Sequence, residues 1–347
     1  MIYHDLQTGL RVTPVTVLTG FLGAGKTTLL NRILNGDHGL RIAVLVNDFG
    51  SINIDADLVV GVEGGGDIIS LANGCVCCNI RDDLLAAVHQ VIGRPEQPEY
   101  IVLEASGVAE PSGIARTFMD QGLRDRIRLD SIMCVMDASQ IFAAPEKMEL
   151  KLRQIAYADM LILNKADLVS RDEIGRIKSW LDEHFHRYRL VEATRGEVPL
   201  EILLSAGRFD AEQLETNAHH HDGHRCHDCG LDHHDHDHAK AFSTWSYETD
   251  RPLSLGALRE VVSRLPVNIY RCKGVIQSAD SPARRVVLQV VGKRVDLTLE
   301  NDWGSRTRRT QIVAIGAYGT LDGEALREKF NRCFAEDGST SQIDLPV

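Results

Sequence analysis

The chain has 347 residues, of which 44% are hydrophobic and 25% charged, and its formal net charge is −11. These proportions describe a globular protein long enough for two domains or one large one, and the acidity argues against a general nucleic-acid binder. No apolar stretch approaches the roughly 18 residues a membrane helix needs. Residues 1–8 have neither a basic start nor an apolar core, so no signal peptide is predicted and a cytoplasmic protein is expected. Five of the eight cysteines fall in two tight clusters, which favours metal or redox chemistry in a reducing compartment over a disulfide scaffold.

The first predicted strand, 15–18, is followed by Gly-Phe-Leu-Gly-Ala-Gly-Lys-Thr at 20–27 and a helical run at 28–34. Strand, glycine loop and helix are the context that the pattern G-x-x-x-x-G-K-[ST] requires. Gly20, Gly23 and Gly25 let the backbone turn tightly, so that the amides around Ala24 and on to Thr28 point at phosphate oxygens. The helix offers the positive end of its dipole to the same anion. Lys26 is expected on the β- and γ-phosphates and the Thr27 hydroxyl on Mg²⁺.

The next strand, 42–47, ends in Asn47-Asp48-Phe49-Gly50, the natural place for a first switch. Asp48 there reaches Mg²⁺ or positions the attacking water, or is simply a turn residue before glycine. Gly74-Cys75-Val76-Cys77-Cys78 follows. Three thiols in four residues can supply three soft ligands to one Zn²⁺ and leave a fourth position open, as a donor site needs. The alternatives are buried structural cysteines, which would not normally follow the turn signal Asn73-Gly74, or a redox pair.

A helix is predicted over 84–92 and a strand over Tyr100–Glu104, leading into Ala105-Ser106-Gly107. Glu104 is placed to hold Mg²⁺ directly or through water, or is an ordinary strand-end carboxylate; the Gly107 amide is placed to sense a γ-phosphate. Further strands are predicted at 131–137, Met160–Asn164 and 189–192, with a helix over Arg171–His184. Asn164-Lys165-Ala166-Asp167 closes the second of these strands. Such an Asp carboxylate accepts from both guanine N1–H and the exocyclic amine, a pairing that adenine cannot offer. A lone N-K-x-D is weak, but in order after a full phosphate loop it selects GTP and GDP. Residues 192–194 are a further candidate for backbone contact to the base. The alternation of strands and helices over 13–205 predicts an α/β domain with a mainly parallel sheet covered on both faces.

Residues 219–238 hold nine His, two Cys and five Asp. That composition cannot bury a core, and a disordered metal-binding linker is expected over 206–240, with His224, Cys226, His227 and Cys229 as its tightest candidate ligands. From 241 to 337 a smaller α+β domain is predicted. Its helices lie at 255–264 and 322–332, and its strands at 270–277, 285–291, 294–298 and 311–316. Trp245, Trp303 and the basic run 306–309 read as core aromatics and a solvated face, with a partner-facing surface as the alternative.

The four motifs, in this order, resemble those of the CobW-like branch of P-loop GTPases, relatives of the nickel-insertion GTPases of hydrogenase and urease maturation. They are the loop at 20–27, G-C-x-C-C at 74–78, E-x-x-G at 104–107 and N-K-x-D at 164–167. Where relatives carry an acid after N-[ED]-F-G, this chain has Ser51. The resemblance implies a GTPase of slow intrinsic rate that carries Zn²⁺, or Co²⁺, Fe²⁺ or Ni²⁺, to a client metalloprotein. It would act as a monomer or a nucleotide-dependent homo-oligomer. Zinc storage by the His-rich linker, or maturation of one cobalt or iron enzyme, are the alternatives.

Overall fold

The computed structural model describes residues 3–4, 11–46, 68–70, 80–118, 123, 126–204, 242–304 and 307–335. The chain forms two compact units, Met1–Gly207 with Val291–Arg294, and Arg208–Val290 with Val295–Val347.

The first unit runs β1 (Tyr3–His4), β2 (Arg11–Thr19), α1 (Lys26–Asn35), β3 (Ile42–Val46), β4 (Ile68–Ser70), α2 (Ile80–Ile92) and β5 (Tyr100–Glu104). It continues through α3 (Pro111–Phe118), β6 (Ile127–Asp137), α4 (Met148–Tyr157), β7 (Met160–Asn164), α5 (Arg171–His184), β8 (Leu190–Glu192) and the single turn α6 (Leu200–Leu203). Seven strands lie in the order β4-β3-β5-β2-β6-β7-β8, all paired in parallel, and β1 adds antiparallel to the start of β2. The expected mainly parallel α/β sheet is therefore what forms. Its strands are apolar without alternation because both faces are covered: every residue of β3, β5 and β7 is buried.

Val17, Leu45, Ile101 and Leu103 pack with Val88 and Val91 of α2 and Ile114 of α3. Met136, Leu161 and Leu163 pack with Ile155 of α4 and with Ile174, Ile177 and Leu181 of α5. The Ser170 hydroxyl accepts from the Glu173 amide while the Glu173 carboxylate returns to the Ser170 amide, a capping box that starts α5 at its predicted residue. From β2 the chain first builds outward through β3 and later crosses to β6 on the other side. That reversal opens a crevice at the carboxyl ends of β2, β5 and β6, where ligands bind in open α/β sheets.

Several elements differ from those predicted: β2 starts at Arg11 rather than 15, α2 starts at Ile80 rather than 84, and the strand Phe242–Thr249 is additional. Helix α1 begins at Lys26, inside the phosphate loop rather than after it; β6 starts four residues early, at Ile127; and α3 and α4 had not been anticipated.

The second unit contains β9 (Phe242–Thr249), α7 (Leu255–Ser263), β10 (Ile269–Gln277), β11 (Arg284–Val291), β12 (Arg294–Asp302), β13 (Thr310–Ala317) and α8 (Gly323–Asn331). Its sheet has the order β12-β11-β10-β13-β9, with β13 antiparallel to both neighbours. Tyr247, Leu258, Val286, Leu288, Ile312 and Phe330 centre its core. Trp303 is buried, and Trp245 stacks on Tyr247 and Phe330, so both belong to the packing of this unit. Among the described residues no helix is long and apolar enough to cross a membrane.

Candidate nucleotide site

Strand β2 ends at Thr19, and the chain turns through Gly20, Gly23 and Gly25, all at positive φ, into α1. At position 20 a side chain is excluded outright, because a β-carbon there would lie 2.1 Å from the Val135 carbonyl oxygen on neighbouring β6. The first turn of α1 carries no acidic residue, so its amides keep their full attraction for an anion. Lys26, in that turn, is buried and folds back over the loop, donating from Nζ to the Phe21 carbonyl at 3.3 Å. Thr28 is exposed in the same turn.

The next side chain meets the neighbouring strand. Thr27 Oγ1 donates to Glu104 Oε1 over 2.8 Å, and Glu104 is buried at the carboxyl end of β5 in register with Leu18. A hydroxyl and a carboxylate brought together beside an anion-binding loop form an all-oxygen donor set, which fits Mg²⁺ and not a soft metal. Beyond Glu104 the chain makes a turn, closed by the Ala109 amide on the Ser106 carbonyl at 2.9 Å. Gly107 in this turn packs against the Leu22 backbone of the phosphate loop.

Asn164 and Lys165, at the end of β7, reach the loop from the other side. Asn164 Nδ2 donates to the Ala24 carbonyl at 2.9 Å, and its Oδ1 accepts from the Gly196 amide at 2.8 Å. Lys165 Nζ donates to the Gly23 carbonyl at 2.7 Å and pairs with Asp137 Oδ2 at 2.6 Å. Asp137 is itself fixed, because its Oδ1 accepts from the Ser139 amide and hydroxyl. Lys165 and Arg195 both hold left-handed backbone, at φ 58° and 50°. Such residues cost on the order of 1–2 kcal/mol each and persist where surrounding contacts over-determine them. Asp167 is exposed on the single 3-10 turn Ala166–Leu168 that follows. That turn is tied to the 192–194 segment by the Ala166 amide on the Ala193 carbonyl, and the Ala193 amide donates to Leu163. Both backbone groups of Ala193 are therefore engaged by protein.

Underneath, α4 turns two polar residues inward. Gln154 is 1% exposed and Lys151 3%. Gln154 Nε2 donates to the carbonyls of Gly107 and Ala109 at 3.2 and 3.1 Å. Lys151 Nζ donates to the carbonyls of Gln140, Ile141 and Ala143 and lies 4.8 Å from the centre of the Phe21 ring. Burial holds this ammonium below its usual pKa, against the opposing charges of Glu146 and Asp137. The sequence reading gave no role to Asp137, Lys151, Gln154 or Gly196. Only Asp137 carried a signal, as the acid closing the strand beside β7.

Asp48, the thiols Cys75, Cys77 and Cys78, and the linker ligands His224, Cys226, His227 and Cys229 lie outside the described residues. Among the described residues no group of three or more His, Cys, Asp or Glu is arranged to hold a metal ion.

With this geometry in hand, similarity to known proteins is specific. Residues 14–191 match the CobW/HypB/UreG nucleotide-binding domain, and residues 242–334 match the cobalamin synthesis protein cobW C-terminal domain. The chain is 33% identical to the zinc chaperone CobW of Pseudomonas aeruginosa, over 93% of this chain and 92% of that protein. It is 30% identical to the zinc chaperone CobW of Sinorhizobium sp, over 90% and 95%. The crystal structure of the Zn(II)-bound YjiA GTPase from E. coli is 25% identical, covers 93% of this chain and 99% of its own, and superposes with a TM-score of 0.43.

Proposed function

The chain belongs to the CobW/HypB/UreG family of P-loop GTPases, and from that premise we propose that it is a metallochaperone whose nucleotide state gates a zinc site. The observation that carries the reading is the contact between Thr27 and Glu104 beneath a glycine loop whose far side is held by Asn164. Phosphate, divalent cation and guanine chemistry thus meet at one end of one sheet.

In this reading the amides of residues 23–28 cradle the phosphates, and Lys26 leaves the Phe21 carbonyl for the β- and γ-phosphates. Thr27 and Glu104 hold Mg²⁺, which when bound neutralises charge building on the phosphate oxygens. Asp167 reads the guanine edge. Lys165, steadied by Asp137, lies along the base, and Asn164 keeps the base-reading turn and the phosphate loop in fixed relation. Asp48 and the Gly107 amide respond to the γ-phosphate. No catalytic glutamine or cis arginine is evident from the sequence pattern, so slow intrinsic hydrolysis is expected.

Cys75, Cys77 and Cys78 are the proposed zinc ligands. They fall in sequence between Asp48 and Glu104, so order imposed by GTP at either end reaches the thiolates. The zinc is cargo, released to a client after hydrolysis. The relatives named as zinc chaperones support zinc over cobalt, iron or nickel. The nine His of 219–238 support a second role for that segment, as a weak multi-site zinc reservoir.

The test is competitive zinc titration against a chromophoric chelator, with residues 219–238 deleted, in Mg²⁺ with GDP or with a non-hydrolysable GTP analogue. One tight site is expected, different in affinity between the two nucleotides and abolished by Cys77→Ser. A tight site blind to nucleotide would leave a GTPase without gating. Absence of any tight site would move zinc binding to the deleted segment.

A further inference from the structure

Helix α4 presents Lys151 and Gln154 on one buried face, with their polar heads spent on backbone carbonyls rather than on each other. A buried amide in a helix is costly unless its donors are used, and Gln154 Nε2 uses both on a single turn, at Gly107 and Ala109. One helical turn earlier, Lys151 secures the 140–143 loop and sits by Phe21 of the phosphate loop. The two side chains line a small pocket together with Phe21, Leu22, Gln140 and Ile141. A single helix face therefore fixes, at once, the phosphate loop and the turn packed against it.

We propose that Gln154 is a positioning residue for discrimination between GTP and GDP. The inference rests on the reading that the turn at 106–109 meets the γ-phosphate. That turn has only one internal bond, from the Ala109 amide to the Ser106 carbonyl, and glycine at 107 gives it no side chain with which to hold itself. Left alone it would have to be ordered by the ligand, and that cost would be subtracted from affinity. Gln154 orders it beforehand by anchoring the Gly107 and Ala109 carbonyls, in a turn that packs against Leu22 of the phosphate loop. GDP, which lacks the γ-phosphate, takes no benefit from this. The effect of Gln154 is thus confined to the triphosphate, and Lys151 supports it by holding Phe21 and the 140–143 loop against the same helix.

The experiment compares wild type with Gln154→Leu and Gln154→Glu, which fill similar volume without the amide donors. Affinities for GDP and for a non-hydrolysable GTP analogue are measured in Mg²⁺ by fluorescence competition, together with kcat and KM for GTP. Loss of the two bonds is expected to weaken the analogue roughly tenfold and to change GDP less than about twofold. Equal losses for both nucleotides would reduce Gln154 to a structural residue and overturn the proposal, as would no loss at all. GDP binding by the variants reports that they fold and that the nucleotide site stands. A wild-type protein binding neither nucleotide would instead overturn the nucleotide reading itself. Should both variants fail to fold, amide hydrogen exchange over 106–109 in the wild type decides. Protection of 106–109 already present in the GDP form supports the pre-ordered turn, and protection that arises only with the analogue overturns it.

Discussion

Gly25 and Asn164 are packed so closely that a β-carbon at position 25 would lie 2.4 Å from Asn164 Nδ2. This is the point at which the phosphate loop and the strand ending in N-K-x-D touch, because the same Nδ2 donates to the Ala24 carbonyl one residue away. Loop and N-K-x-D segment are thereby one mechanical unit before any nucleotide arrives.

That contact separates two glycines which look alike in the sequence. Gly23 also has positive φ, 74°, but a β-carbon there meets nothing within 4 Å. Gly23→Ala therefore carries backbone strain of about 1 kcal/mol alone. Gly25→Ala adds a clash that pushes Asn164 off Ala24 and Gly196, leaving buried groups unpaired at a cost of about 2–4 kcal/mol. Chemical denaturation and GDP titration of both variants should rank them in that order. Combining Gly25→Ala with Asn164→Ala should cost less than the sum of the two single changes, since the second removes the group that the first strikes.

Thr27 and Glu104 give a prediction about cation dependence. Thr27→Val removes the hydroxyl that donates to Glu104 at 2.8 Å but keeps the shape of the side chain. GDP affinity measured in EDTA should stay within about twofold of wild type, because phosphate contact comes from backbone amides. Hydrolysis in Mg²⁺ should fall on the order of 100-fold, and Thr27→Ser should restore most of it. An unchanged rate in Thr27→Val would remove this pair from the cation site.

How much of this was legible beforehand follows from which residues carry the signal. Strands β5 and β7 and helix α5 match their predicted bounds to the residue, because unbroken apolar runs and a capping box announce them. Helix α4 was invisible because two of its three buried side chains are Lys151 and Gln154, which break the apolar period. Helix α3 opens Pro-Ser-Gly and reads as a turn. The loop and N-K-x-D motifs are legible as candidate sites because their pattern lies in local spacing. Asp137 and Gly196 had no such spacing: they meet Lys165 and Asn164 from strands and turns distant in sequence, and only the parallel pairing of β6 with β7 and the return after β8 bring them there.

Thiol chemistry can isolate the proposed zinc ligands. The three described cysteines are buried, and burial pushes Cys134 up to about 12, against the opposing charge of Lys26, and Cys333 up to about 11. Thiolates are the reactive form, so both should resist alkylation at neutral pH, and buried Cys272 should be shielded by inaccessibility. Native alkylation followed by peptide mass mapping should leave all three unlabelled. Any label that zinc blocks should then map to Cys75, Cys77, Cys78, Cys226 or Cys229. Rapid labelling of Cys134 or Cys272 would contradict the packing of their sheets.

The return strand β8 supplies a pH signature. Burial of Glu192 works to raise its pKa, but hydrogen bonds and charges from Lys178 and then Arg171, each at 2.7 Å, outweigh it and hold the carboxyl below its usual range. A depressed carboxylate stabilises the fold above its unfolded pKa of about 4.3, and that contribution is lost as pH falls through the lower folded value. The partners are largely exposed, so the stabilisation is about 0.5–1 kcal/mol. Glu192→Gln should therefore be less stable than wild type at pH 7, and the gap should close as urea denaturation is repeated at successively lower pH below about 4.3. A gap that persists at acid pH would mean that the glutamine disturbs packing beside Ala193 rather than removing a charge.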